Sequence, residues 1–275
     1  MSDLRFLARR KALTTTAVLT MGLAIGATAA SLSVLKAFLF SSLGAPEPHR
    51  LVVVQPERDM PGRGAVKFNE AFLNYQLLRE SNPPFAGLTA ALQQSASWED
   101  AGETRQLSAA RATASFAATF RAPPMLGRWF EEQEEGPSPA PVIVLSHRIW
   151  TNSLGADRGV IGKSLSINGA PHTVVGVMPA GFEHPLPTEA WLPFDLPPEW
   201  RTRVNGARQL AVYARLREGT TFEAAERTMA AFTARALEFS ADNRDFRHTI
   251  TTLRDSLLGN ADDSALFVLV GAAGL

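Results

Sequence analysis

The chain of 275 residues contains no cysteine. Disulfides, thiolate metal sites, cysteine nucleophiles and lipid attachment through cysteine are therefore excluded. Net charge is also lacking: 27 Lys+Arg balance 27 Asp+Glu, which removes any bulk electrostatic case for nucleic acid. No Gly-x-Ser-x-Gly and no internal repeat occur. Gly162-Lys163-Ser164 ends like a phosphate-binding loop, but the position five before Gly162 is Asp157. A strand, not a helix, is expected after Lys163, so the loop would not aim its N–H groups at phosphate. The five histidines (His49, His147, His172, His184 and His248) form no i, i+4 pair and have no adjacent helical carboxylate, as a zinc site on a helix requires. The run Glu131–Glu135 reads as a solvated loop, and Trp98, Trp129, Trp150, Trp191 and Trp200 as core or rim packing. No catalytic, cofactor-binding or metal-binding residue is named, no cofactor is expected, and the chain is not expected to be an enzyme.

What is present is a basic, apolar head on a mildly acidic body. Residues 1–40 hold five positive charges and one negative, leaving 22 positive against 26 negative in the rest. Ala12 to Leu35 are 24 residues without a charge. As a helix they would extend about 36 Å, enough to cross a hydrocarbon core of roughly 30 Å. Arg5, Arg9, Arg10 and Lys11 precede this run, so the positive-inside rule puts the N-terminus in the cytoplasm and the body outside. Gly22, Gly26 and Ala30 recur at four-residue spacing and make a smooth face for helix packing. The same head also fits a cleaved signal peptide, with Ala27-Thr28-Ala29 as a small-residue site. Either reading sends the body out of the cytoplasm. At the other end, Ala265–Leu275 carry no charged or polar side chain but are too few to span a bilayer. They read as a buried terminal element or as the first part of a second membrane helix in a truncated chain.

Between the ends the pattern predicts a mixed α+β extracytoplasmic domain. Leu51–Gln55 reads as a strand, Pro56–Gly64 as a loop, 68–80 as an amphipathic helix, and 86–93 and 105–113 as short strands. Val142–Leu145 is a compact apolar strand, after which Ser146 caps a helix that Gly155 stops. Leu165-Ser166-Ile167, Asn168-Gly169 and Thr173–Val177 spell a β-hairpin with a type I′ turn. Gln209–Leu216 is another strand. Thr220-x-x-Glu223 reads as a capping box before a helix whose inner face is Phe222, Ala225, Met229, Phe232 and Ala236. Thr249–Leu253 reads as a last strand. The organisation expected is a cytoplasmic N-terminus at 1–11, a transmembrane helix at 12–40, a domain at 41–263 and the start of a second membrane helix at 264–275.

The ordered blocks Met125-Leu126-Gly127-Arg128-Trp129-Phe130, Val142–Trp150, Val160–Gly169 and Thr173–Phe182 resemble the periplasmic core domain of MacB-like ABC transporter permeases, in the FtsX-like superfamily. The long acidobacterial-type permeases are the most similar group. Asp3-Leu4-Arg5-Phe6 and Leu23–Ala27 resemble the family's first membrane helix, Ala214–Gly219 its strand-to-helix step, and Ser264–Leu275 the beginning of its second membrane helix. The resemblance implies a permease subunit in the cell (inner) membrane that couples ATP-driven motion to the extracytoplasmic domain for efflux or mechanotransmission. The partners it implies are an ABC ATPase subunit, membrane lipid, a second permease domain or a homodimer, and a periplasmic adaptor protein. The chain departs from the family in lacking the later membrane helices and the surface where an ATPase would dock. The alternative from the residues alone is a secreted or periplasmic binding or structural protein released by signal cleavage.

Overall fold

The structure, a computed structural model, describes residues 45–259 except 82, 101, 185, 186, 203 and 205–207, together with 20–22 and 26. The membrane spans expected at 12–40 and 264–275 therefore lie outside the described residues, save that 20–22 and 26 are helical. No helix among the described residues is long and apolar enough to cross a membrane. Leu43–Ser256 form one compact unit, and 1–42 with 257–275 belong to another.

The elements are β1 (Leu51–Met60), β2 (Gly64–Lys67), β3 (Glu70–Ala71), α1 (Phe72–Glu80), β4 (Phe85–Asp100), β5 (Glu103–Ala112), α2 (Phe116–Phe120) and β6 (Leu126–Gly127). They continue as β7 (Val142–Leu145), α3 (His147–Leu154), β8 (Ser164–Ile167), β9 (Ala170–Val177), β10 (Ala190–Pro193), β11 (Arg208–Leu216), α4 (Phe222–Phe239), β12 (Arg247–Thr252) and α5 (Leu253–Gly259). All strands join one sheet in the order β12-β1-β11-β4-β5-β10-β7-β9-β6, with β2 beside β1, β3 beside β11, and β8 bridging β4 and β9. Pairing is antiparallel except for β5 with β10 and β7 with β9. The mixed α+β architecture expected from the pattern is thus the one observed.

The long strand β4 is the beam of the sheet. Its first part pairs with β11 from Phe85 to Ala91, and its second with β5 from Ala91 to Asp100. At about 3.3 Å per residue it spans roughly 50 Å. Two apolar cores lie along it. One gathers Val52, Leu78, Val212, Met229, Phe232 and Ile250 under α1 and α4. The other gathers Trp98, Leu107, Ile143, Ile149, Val174 and Leu192 under α3. Strand alternation turns Tyr213 and Trp191 away from their neighbours Val212 and Leu192. There they meet Phe116, Phe120, Trp129 and Phe182 in edge-to-face, tilted and stacked pairs 4.7–6.1 Å apart. All the tryptophans except Trp200 are buried, and Trp200 packs against the first core.

Local chemistry explains several element ends. Ser146 Oγ accepts from Ile149 N at 3.2 Å, and Gly155 ends α3 at φ 63°. Asn168 and Gly169 both have positive φ, 52° and 75°, as a type I′ turn demands. Asn168 Oδ1 also accepts from Ser97 N at 2.8 Å, tying that turn to β4.

Other expectations need correction. Pro56–Gly64 is not a loop: β1 runs through Pro56 to Met60 and turns at Pro61-Gly62 into β2. Pro56 is tolerated because its carbonyl is what the structure uses, accepting from Phe68 N at 2.8 Å. Helix α1 starts at Phe72, not 68, because Glu70-Ala71 pair with β11 first. The short strands at 86–93 and 105–113 are one long hairpin, β4–β5, and the last strand begins at Arg247 and ends at Thr252. The N-cap of α4 is Thr221, not Thr220, since Thr220 N closes the preceding turn on Arg217 O while Thr221 Oγ1 accepts from Ala224 N at 3.2 Å. The face of α4 read from its spacing holds: Ala225, Met229, Phe232 and Ala236 are buried. Glu131–Glu135 is more structured than a solvated loop. It contains a 3-10 turn at Glu132–Glu134, closed by a capping box, and Glu135 is half-buried.

Candidate functional site

One polar construction lies where the chain joins the sheet. Ala45–Arg50 lead into β1, with Glu47 in the left-handed region at φ 48° and a 3-10 turn at Pro48–Arg50. Arg50 reaches from this linker to the end of β11: Nε and Nη2 both donate to Leu216 O, at 3.2 and 2.8 Å. Arg215 reaches the other way. Its Nε donates to Thr119 O of α2 at 2.7 Å, its Nη2 to Pro46 O at 3.2 Å and its Nη1 to Glu47 O at 3.5 Å. The linker and the strand therefore clasp each other through reciprocal arginine–carbonyl contacts. The Glu47 carboxylate closes the clasp, accepting from Arg50 Nη1 at 3.3 Å and from Arg121. Although desolvation works against it, the positive charge of Arg121, Arg50 and Arg215 holds the Glu47 carboxyl below the ordinary carboxylate range. Arg215 is only 2% exposed, and burial pulls its guanidinium down from the ordinary arginine value. A planar guanidinium suits this place because it can span two backbone segments at once.

Beside the clasp lies a cleft of about 500 Å³ lined by Tyr75, Arg79, Phe85, Thr113, Glu135 and Arg217 among others. Glu135 accepts from Ala114 N, and burial pushes its carboxyl above the ordinary value. Burial likewise raises the Tyr75 phenol.

A second polar cluster sits inside the same half of the sheet. Glu70 Oε1 accepts from Ala71 N, Asn74 Nδ2 and Arg208 Nη1 at 2.8, 3.0 and 3.1 Å. Asn74 and Asn243 exchange hydrogen bonds of 2.8 and 3.1 Å, and Arg208 Nη2 donates to Asn243 Oδ1 at 2.7 Å. His248 Nε2 lies 3.1 Å from Glu70 Oε2 without hydrogen-bond geometry: that oxygen and His248 Nδ1 have no hydrogen-bond partner among the described residues. Burial depresses the Arg208 guanidinium, against the pull of Glu70. This cluster ties β3, α1, β11 and the end of α4 to β12.

Among the described residues no group of three or more His, Asp or Glu is placed to hold a metal ion. Lys163, of the incomplete phosphate-loop pattern, instead bonds Asp157 Oδ2 at 2.6 Å just before β8. Of the residues expected to form a helix-packing face, Gly22 and Gly26 are helical and exposed, and a Cβ at either would meet nothing within 4 Å. Ala30 lies outside the described residues. Arg215 and Glu70 were not among the residues expected to matter. Arg215 had a signal, a charged side chain inside the otherwise apolar stretch Leu210-Ala211-Val212-Tyr213-Ala214-Arg215-Leu216; Glu70, among Asn69, Asn74 and Gln76, had none.

Comparison with known proteins gives this arrangement a family. No curated protein matches the chain. The fold is shared with three solved domains, each too distant in sequence to show more than the fold. The periplasmic region of MacB from Actinobacillus actinomycetemcomitans is 14% identical, with a TM-score of 0.56 over 81% of this chain and 96% of that one. A domain of a permease protein from Porphyromonas gingivalis is 17% identical, with a TM-score of 0.54 over 76% and 91%. The extracellular domain of the noncanonic ABC-type transporter YknZ from Gram-positive bacteria is 12% identical, with a TM-score of 0.52 over 72% and 99%. The family model described as the MacB-like periplasmic core domain matches residues 14–232, most of the chain. That match takes in the linker and the ordered blocks from Met125 to Phe182, and the chain belongs to the family of MacB-like periplasmic core domains of ABC-type transporter permeases.

Proposed function

We propose that this chain is a permease subunit whose extracytoplasmic domain is moved by a partner ABC ATPase, for efflux or for mechanical work outside the membrane. The observation that carries this reading is the register of β1 with β12. Val52, just after the linker, pairs with Thr252, the last residue of β12. The compact domain thus begins and ends on adjacent strands about 4.8 Å apart. A domain inserted between two membrane helices needs its ends together on one side, and a secreted domain has no such requirement. The basic residues ahead of the uncharged run Ala12–Leu35 orient that run with its N-terminus in the cytoplasm. The partners in this reading are membrane lipid, the ATPase, a second permease domain or second copy, and an adaptor on the outer side. ATP hydrolysis belongs to the partner.

The mass of the mature chain tests the reading. Intact Met1 or Ser2 in the membrane fraction, with an ATPase subunit co-purifying, is the expected result. A soluble chain starting near Ala30 would establish a secreted binding or structural protein instead.

A further inference from the structure

The two ends of the domain are held differently, and the difference assigns a task to one residue. On the incoming side, Arg215 bonds the linker carbonyls of Pro46 and Glu47 and, with the same guanidinium, Thr119 O of α2. Arg50 returns two bonds to Leu216 O. On the outgoing side, the polar side-chain contacts described after β12 are local: Thr252 Oγ1 with Asp255 Oδ2 at 2.6 Å and Asp255 N with Thr252 Oγ1 at 3.1 Å. Before that end, β12 is tied to the sheet by the β1–β12 ladder and by an exposed bond from Lys67 Nζ to Thr251 Oγ1 at 2.7 Å, and Leu253 is buried.

We propose that Arg215 is the positioning residue that makes the incoming linker a rigid lever: movement of the chain before Ala45 is delivered through its guanidinium to β11 and α2 together, while the outgoing end follows passively. Three observations carry this. Arg215 is fully buried, so its side chain is not free to change rotamer as the linker is pulled. Its donors span two backbone segments distant in the chain, the linker at Pro46–Glu47 and Thr119 of α2. Glu47 is kept at a positive φ that L-residues uncommonly adopt, and its carboxylate is held by arginines from the linker, β11 and the α2 terminus. The inference rests on the permease reading above.

The test uses the full chain assembled with its ATPase partner in lipid nanodiscs. Amide hydrogen exchange is compared between the nucleotide-free complex and the complex trapped with ATP and orthovanadate. In the wild type the trapped state is expected to change exchange both in 45–50 and in α2 and β11. Arg215→Met, of similar length but without donors, is expected to keep the linker response and to reduce the α2 and β11 response at least about fivefold. A purely structural role would raise exchange equally in both nucleotide states and leave the difference between them intact; that outcome overturns the proposal. Glu47→Gln, a half-exposed change, serves where Arg215→Met does not fold, with a reduction of about twofold expected and an unchanged response counting against the proposal. A wild-type complex with no nucleotide response anywhere in 45–256 would sink the permease reading itself, and this inference with it.

Discussion

The half of the sheet around β1 and β11 closes by contacts remote in the chain, whereas the half around β7 and β9 is built from near neighbours. In the first half Leu51 pairs with Arg215, Val52 with Thr252, and Asn74 bonds Asn243 across 169 positions. In the second, β7, α3, β8 and β9 follow one another from Val142 to Val177, joined by a capped helix and a type I′ turn. The two halves also differ in what they bury. Beside the apolar core under α3 the second half buries Ser146 and one acid, Glu189, at its edge, where Glu189 accepts from Ser108 N, Arg105 and Arg148. The first half buries Glu70, Asn74, Arg215, Asn243 and His248 beside its aliphatic core. Distant closure carries a loop-entropy cost and many near-equivalent pairings. Buried polar partners, expensive unless all are matched, single out one of those pairings.

The largest test of this contrast is Glu70→Ala. It leaves the Arg208 guanidinium and the Asn74 amide without their shared acceptor, so a loss of about 3–5 kcal/mol is expected. Urea unfolding of the full chain in detergent, followed by tryptophan fluorescence, measures it. Leu107→Ala removes a residue 1% exposed from the second core, and the expected loss is about 3 kcal/mol through the cavity left behind. Should Leu107→Ala prove much costlier than Glu70→Ala, the polar cluster would not be what secures the first half. Gly176→Ala comes next, at about 1–3 kcal/mol. A Cβ there would drive into the carbonyl oxygen of Arg128, so β9 must shift away from that neighbouring segment.

The same contrast governs how much was legible beforehand. The strand Val142–Leu145, the Ser146 cap and the Asn168-Gly169 turn follow from chemistry within a few residues, and all were read correctly. The full length of β4 and β5 was not, because Gln94–Ser97 and Glu103-Thr104, beyond the strands expected at 86–93 and 105–113, are mostly polar and carry no apolar period. They are strands because each backbone satisfies the other, and β8 adds a third partner at Trp98 and Glu99. Likewise β1 continues past Pro56 because β12 is beside it. Arg215 was visible as a charge in an apolar strand, but its partners at Pro46 and Thr119 come from distant segments, and no local pattern names them. The Glu70 cluster was invisible for the same reason.

A smaller effect is expected at the hairpin. Asn168→Ala removes both the tolerance of a positive φ and the acceptor for Ser97 N. About 1–2 kcal/mol is expected, read in the same unfolding measurement. Asn168→Gly keeps the turn geometry and loses only the acceptor, so it should recover part of the loss. No recovery would mean that the bond to β4, not the turn, sets the hairpin.

The smallest effects concern pH, and two carboxyl groups should move in opposite directions. Lys163 and the N–H of Gly159 hold the Asp157 carboxyl below the ordinary range, with the hydrogen bond from Lys163 the main cause. A depressed carboxyl stabilises the fold above its ordinary pKa, and that contribution disappears as pH falls through the depressed value. Glu135 behaves oppositely. Burial raises its carboxyl, although the Ala114 N–H and the charge of Arg79 pull it back. Its contribution is complete below the ordinary carboxylate pKa and is lost as pH rises through the raised one. Melting temperatures of Asp157→Asn and Glu135→Gln against wild type, from pH 3 to pH 7, read both signs. The deficit of Asp157→Asn should shrink toward low pH. Glu135→Gln should gain on wild type toward neutral pH, because the amide still offers Ala114 N an acceptor without placing a charge in the cleft. A gap for Glu135→Gln that stays constant across this window would mean that the side chain titrates as it does in the unfolded chain, and the cleft beside Tyr75 and Arg79 would then be open to water at its floor.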